Sequence, residues 1–167
     1  MSVSARTGQS CKMQTNQDAR SASMAKDEYL VAVKLLLFKD GKLLVLKDQW
    51  GSWDIPGGRI RRDQFDVPPE EILRKKIDVE LGKEVQYQLG KIVTTLRLER
   101  EEVGRDGQKV RIFAVCYEGS YISGDITGGA YIPHYEWIDL KTANLDDYSE
   151  GDSWVLRLKD YQRELNL

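Results

Sequence analysis

Trp53-Asp54-Ile55-Pro56-Gly57-Gly58-Arg59-Ile60, followed after a short gap by Pro69-Glu70-Glu71-Ile72-Leu73-Arg74-Lys75-Lys76-Ile77-Asp78-Val79-Glu80-Leu81-Gly82, is the stretch on which the reading of this chain turns. Proline fixes its own backbone angle and glycine reaches angles closed to other residues, so Pro56-Gly57-Gly58 predicts a tight break in the chain. Both glycines are expected to serve the backbone there, with unusual dihedrals. A helix follows. Pro69 suits its first turn, and Glu70 and Glu71 favour the positive end of its dipole. Leu73, Ile77 and Leu81 recur every four residues and give the helix one buried stripe, and Gly82 is a natural stop.

Upstream, the apolar runs Tyr29 to Phe38 and Leu43 to Leu46 flank the turn pair Asp40-Gly41, a hairpin signal. Downstream, a second hairpin is expected through Ile92 to Leu98, turning at Gly104-Arg105-Asp106-Gly107 and returning through Val110 to Tyr117. Gly124 to Gly129 predict a loop and Tyr135 to Ile138 a short strand. Ser153 to Leu165 predict an amphipathic helix with Trp154, Leu158, Tyr161 and Leu165 near one face. Residues 1–25 are polar with almost no apolar periodicity and are expected to be a disordered tail, leaving residues 26–167 as one domain.

Bulk properties narrow the function classes. The 25 basic and 27 acidic residues of the 167 nearly cancel, so there is no strong nucleic-acid signal and no general attraction to an anionic membrane. No apolar run approaches the roughly 18 residues of a membrane span, and a cytoplasmic protein is expected. Cys11 and Cys116 form neither a disulfide framework nor a metal-ligand spacing, and Cys116, inside an expected strand, reads as a small buried hydrophobe.

The order of elements, the Pro56-Gly57-Gly58 loop, the helix ending in Glu80-Leu81-Gly82 and the late Glu136-Trp137-Ile138-Asp139-Leu140 segment together resemble the Nudix hydrolase family from about residue 29 to 165. The resemblance implies an α/β fold, an α/β/α sandwich around a mixed sheet. The family pattern reads Gly, five residues, Glu, seven residues, then Arg-Glu-aliphatic-any-Glu-Glu-any-Gly. Anchored on Gly58 it puts Gln64 at the first Glu. Anchored on Gly82 it puts Lys75 and Lys76 at Arg-Glu, and Val79 and Glu80 at Glu-Glu. Satisfying both anchors needs about three extra residues around Phe65 to Pro68, so the box is degenerate in spacing and in charge.

What the resemblance implies about chemistry follows from electrostatics. In active relatives several glutamates hold Mg²⁺ or Mn²⁺, which stabilise the charge that builds as water attacks a diphosphate. Here Glu80 is the one remaining metal and catalytic candidate, with Glu70, Glu71 and Glu136 as helpers. Glu99 to Glu102 near the second hairpin tip read as a solvated strand end. Lys76 and Glu80, four apart on a helix, are expected to form a surface ion pair. Gly57, Gly58, Arg59, Lys75 and Lys76 are the phosphate-binding candidates, the cations replacing the metal's charge. Trp50 and Trp53 suit either base stacking or closure of the core edge, and His134 a surface role. Two functions stay open. One is a diphosphohydrolase of a nucleoside diphosphate linked to another moiety, weak or altered in activity and Mg²⁺- or Mn²⁺-dependent. The other is an inactive module binding a nucleotide, RNA or protein partner. The expected partner is a phosphorylated nucleotide-like small molecule, with homodimerisation open.

Overall fold

The computed structural model describes residues 26–102, 107–128 and 131–166. The expected tail with Cys11, and Gly104, Arg105 and Asp106 of the expected turn, lie outside the described residues. The elements run β1 (Leu30–Lys39), β2 (Lys42–Lys47), β3 (Trp53–Asp54), β4 (Gly57–Arg59), α1 (Pro69–Glu80), β5 (Gln86–Glu101), β6 (Lys109–Ser123), β7 (His134–Ile138) and, after a 3₁₀ turn at Val155–Leu158, α2 (Lys159–Leu165). Asp40 and Gly41 both take positive φ, as the two-residue turn between β1 and β2 requires.

The sheet order is β3-β2-β1-β6-β5, with β4 also pairing to β1 and β7 to β2. β1 and β6 run parallel, with Leu30 opposite Ile112 and Phe38 opposite Ser120, while the other pairings are antiparallel. The sheet is therefore mixed. β1 is central and apolar on both sides. Val33, Leu35 and Leu37 pack under α1 with Ile72, Leu73, Ile77 and Leu81, and Ala32 and Leu36 pack under the C-terminal segment with Trp154, Val155, Leu158 and Tyr161. This two-sided burial makes the expected α/β/α sandwich. Cys116 is buried in the second layer, as its strand position predicts. Strand β5 lies at the sheet margin, pairs with β6 alone, and shifts register between Leu89 and Ile92 and again between Ile92 and Thr94.

Several elements depart from expectation. The second hairpin is longer than its apolar runs, because polar residues of β5 and β6 continue the ladder from Gln86 opposite Ser123 to Glu101 opposite Lys109. The expected C-terminal helix is split. Trp154 donates its backbone N–H to Trp53 O at 2.9 Å and the Ser153 hydroxyl caps Leu156 N, so a tight 3₁₀ turn precedes a short α2. The Pro56-Gly57-Gly58 break also contains a strand. Leu35 N donates to Pro56 O at 2.8 Å and Ile60 N to Val31 O at 2.8 Å, clamping β4 antiparallel against β1.

The two glycines of β4 do different things. Gly57 has φ of 128°, and a Cβ there would sit 2.2 Å from Val33 O. Gly58 has ordinary backbone angles, contrary to expectation, and its bareness leaves room for Lys76, whose Nζ would lie 3.3 Å from a Cβ. Gly57→Ala is expected to destabilise by well over the ~1 kcal/mol that the same change gains at a compatible site, because backbone atoms cannot move aside. Gly58→Ala should cost far less, since a flexible lysine end can shift. Urea midpoints of the two variants check this contrast.

Candidate functional site

Lys34 is the buried centre of the site. It stands in the apolar run of β1 with its side chain 3% exposed. An ammonium taken out of water costs several kcal/mol unless acceptors surround it. Lys34 Nζ donates to Asp54 Oδ1 at 2.6 Å and to Ile55 O at 2.9 Å, and lies 5.2 Å from the centroid of the Trp154 ring. Asp54 Oδ1 also accepts from Ile55 N at 2.6 Å. The segment that leads into β4 is thus wrapped around one cation.

Glu80, on the last turn of α1, reaches across to this segment. Its Oε2 accepts from Gly57 N at 2.7 Å. Burial pushes its carboxyl up to about 7, opposed by the Lys34 charge and the Gly57 N–H, reinforced by Asp54, and opposed again by Lys76. The expected direct Lys76–Glu80 surface pair is not formed, because the carboxylate turns inward to the Gly57 amide. Lys76 instead lies along Gly58. Burial lowers the pKa of its ammonium, opposed by Glu80 and reinforced by Arg61, Lys34 and Arg59. Four cations therefore sense one another at this loop.

Gly57, Gly58, Lys76 and Glu80 are brought together, with Arg59 next along β4, where its Nη1 donates to Glu102 Oε1 at 2.6 Å. The remaining candidates lie elsewhere. Lys75 pairs with Glu71 at 2.7 Å on the exposed side of α1. Glu70 Oε1 accepts from the Tyr117 hydroxyl at 2.9 Å. Glu136 meets His134 Nε2 at 2.9 Å and accepts from the Tyr148 hydroxyl at 3.2 Å. Gln64 accepts from Arg61 N within its own turn, and Val79 points to solvent. Of the two tryptophans, Trp53 closes the core edge, packing edge-on against Tyr148 and His134, whereas Trp50 is 76% exposed on the β2–β3 loop.

Among the described residues no group of three or more metal-ligating side chains comes together. The residues present do not fit a divalent ion. Glu80 and Asp54 each have an oxygen committed to a backbone N–H, the Lys76 ammonium lies along Gly58 between strand and helix where a cation would have to enter, and Lys34 already pairs with Asp54 from the other side of β4. Sequence reasoning missed Lys34, Asp54 and Trp154. The signal was present, since a lone lysine inside the run Leu30 to Phe38 must either leave the strand's core face or find a buried partner. It also read the Glu99 to Glu102 run as a solvated strand end, but Glu102 turns in to hold Arg59.

No sequence-family model matches the chain, and no curated protein sequence matches it. Solved structures do match by shape. The MutT protein from Methanosarcina mazei superposes with a TM-score of 0.63 at 19% identity, over 85% of this chain and 96% of that one. A Nudix hydrolase from Nitrosomonas europaea gives 0.58 at 12% identity, over 82% and 90%. The E. coli dihydroneopterin triphosphate pyrophosphohydrolase gives 0.59 at 15% identity, over 84% and 100%. The chain has the Nudix α/β/α sandwich fold. Among its described residues no helix is long and apolar enough to cross a membrane.

The buried Glu80 carboxyl has a measurable consequence. It holds its proton up to about pH 7 in the fold but only to its ordinary 4.5 when unfolded. The stability that the protonated form contributes is complete below the lower value and lost as pH rises through the upper one. Glu80→Gln keeps an acceptor for the Gly57 N–H and removes this titration. In metal-free buffer the variant is expected to gain on the wild type across that window, by on the order of 2 kcal/mol. Urea midpoints at the two ends of the window measure the gain.

Proposed function

We propose that this protein binds a phosphorylated, nucleotide-like small molecule, with a diphosphate laid along β4 and the facing turn of α1. Cations hold it there, and it is cleaved weakly or not at all. The observation that carries this reading is the position of Lys76, whose ammonium lies against the bare backbone of Gly58 while Glu80 is committed to Gly57 N. In the resemblance stated above, those two helix positions would carry metal-holding glutamates. Here one supplies a positive charge directly, and Arg59 and Arg61 stand close enough to lower its pKa. Lys and Arg side chains bind phosphate oxygens by charge-assisted hydrogen bonds without any metal. Lys75, paired with Glu71, sits at the outer margin of this surface. The nucleotide character of the ligand is supported by the shape neighbours, among them a UDP-X diphosphatase and an ADP-ribose pyrophosphatase. We place the protein in the cytoplasm, where such ligands are abundant.

A second reading is favoured by the position of Glu80 itself. It stands at the junction of loop and helix, and its raised pKa suits a group that exchanges protons near neutrality. On that reading the protein is a slow diphosphohydrolase whose Mg²⁺ or Mn²⁺ arrives bound to the diphosphate, since its own described residues do not hold one.

Calorimetric titration with ADP-ribose separates the two. Binding is expected to persist in EDTA, and Lys76→Ala should weaken it about tenfold, the loss typical of a hydrogen bond to a charged group. Turnover of ADP-ribose that requires Mg²⁺ and disappears in Glu80→Gln would overturn the binding reading in favour of the hydrolase.

A further inference from the structure

Strand β4 has two sides, and the diphosphate surface uses only one. Gly58 faces Lys76 and α1. Arg59, the next residue, pairs opposite Ala32, whose side chain belongs to the layer under the C-terminal segment. On that side lies a cavity of about 100 Å³, lined by Lys34, Asp54, Arg59, Arg100 and Trp154, with the backbone of Gly57 and Gly58 along one wall. Three of these side chains are cations. Lys34 is paired with Asp54 and Arg59 with Glu102, while Arg100 forms no ion pair among the described residues. The cavity therefore carries positive charge in excess. It is also built. Lys34 is buried, has three N–H donors, and gives two of them to Asp54 and Ile55 O. The Trp154 ring lies against the same ammonium.

Size limits what enters. Pockets for whole drug-sized ligands run to roughly 300–1,000 Å³, so this one admits a single small group. Charge decides which kind, since a planar base would leave Arg100 unanswered and an ammonium would be repelled. We propose that this cavity binds one compact oxyanion, a phosphate group, between Lys34, Arg59 and Arg100. Such a phosphate arrives either as the free ion or as the terminal group of a larger ligand. In the second case the proposal rests on the nucleotide reading above and extends that ligand across β4.

The test uses the full chain, with inorganic phosphate titrated while the Gly57 and Gly58 amides and the Lys34 ammonium are followed by NMR. Saturable shifts of these signals are expected. Arg100→Gln, a change at a half-exposed strand position that should not disturb folding, is expected to weaken phosphate binding about tenfold. Lys42→Ala, at the exposed start of β2 and away from β4, should leave it within about twofold. Phosphate that shifts none of these signals, or that binds Arg100→Gln as tightly as the wild type, would overturn the proposal. Competition identifies the source. If ADP, which ends in a phosphate, displaces the inorganic ion and ADP-ribose does not, the cavity takes a ligand's terminal group. If neither displaces it, the cavity takes free phosphate. Should ADP-ribose fail to bind anywhere while phosphate still does, the cavity stands and the nucleotide reading falls.

Discussion

One ammonium inside a strand buried on both faces governs this half of the molecule. Lys34 is all but sealed from bulk water, so the chain must bring acceptors to it, and they come from the end of β3 and the residue after it. Asp54 turns in, Ile55 presents its carbonyl, and Trp154 lays a ring against the charge. Those demands fix where the chain is when it reaches Pro56. Only a glycine then allows it to close on β1, because Gly57 packs against the backbone of Val33. The position of β4, and with it the facing turn of α1, follows from solvating one buried charge.

The electrostatics of the site follow from the same arrangement. Glu80 sits among positive neighbours and is still drawn toward its neutral form, because burial outweighs their attraction. Lys76 is pulled the same way, toward losing its charge, by burial and by three nearby cations. An entering anion would relieve Lys76, and water entering with it would relieve both groups. A divalent cation would add to the repulsion between Lys34, Lys76 and the two arginines, which is a stronger objection to a metal here than the small number of carboxylates.

Much of the architecture was legible in the residues, and the reason is periodicity. The runs of β1 and β2, the four-residue stripe of α1 and the Asp40-Gly41 turn are local signals, and the structure keeps them. What was not legible depended on partners far along the chain. β4 is too short to show a period and exists only because β1 lies beside it. The split before α2 comes from Trp154 reaching back to Trp53. At the site, the residue types near Gly58 and Glu80 could be read, but their directions could not. Nothing in the spacing of Lys76 and Glu80 says that one will lie on a glycine and the other will bond an amide. Arg100 and Glu102 lay in a charged run whose inward members only the strand register reveals.

The position of β5 at the margin of the sheet bears on how copies of this protein behave toward one another. A long strand with one bare row of N–H and C=O groups is a template for adding a foreign strand. The two register shifts around Ile92 interrupt that row in its middle, and bulges twist an edge away from flat pairing. Lys91 and Arg97 add charge along the same border. Concentrated solutions should therefore resist sheet-by-sheet accretion, a safeguard achieved by irregular backbone and not by shortening the strand.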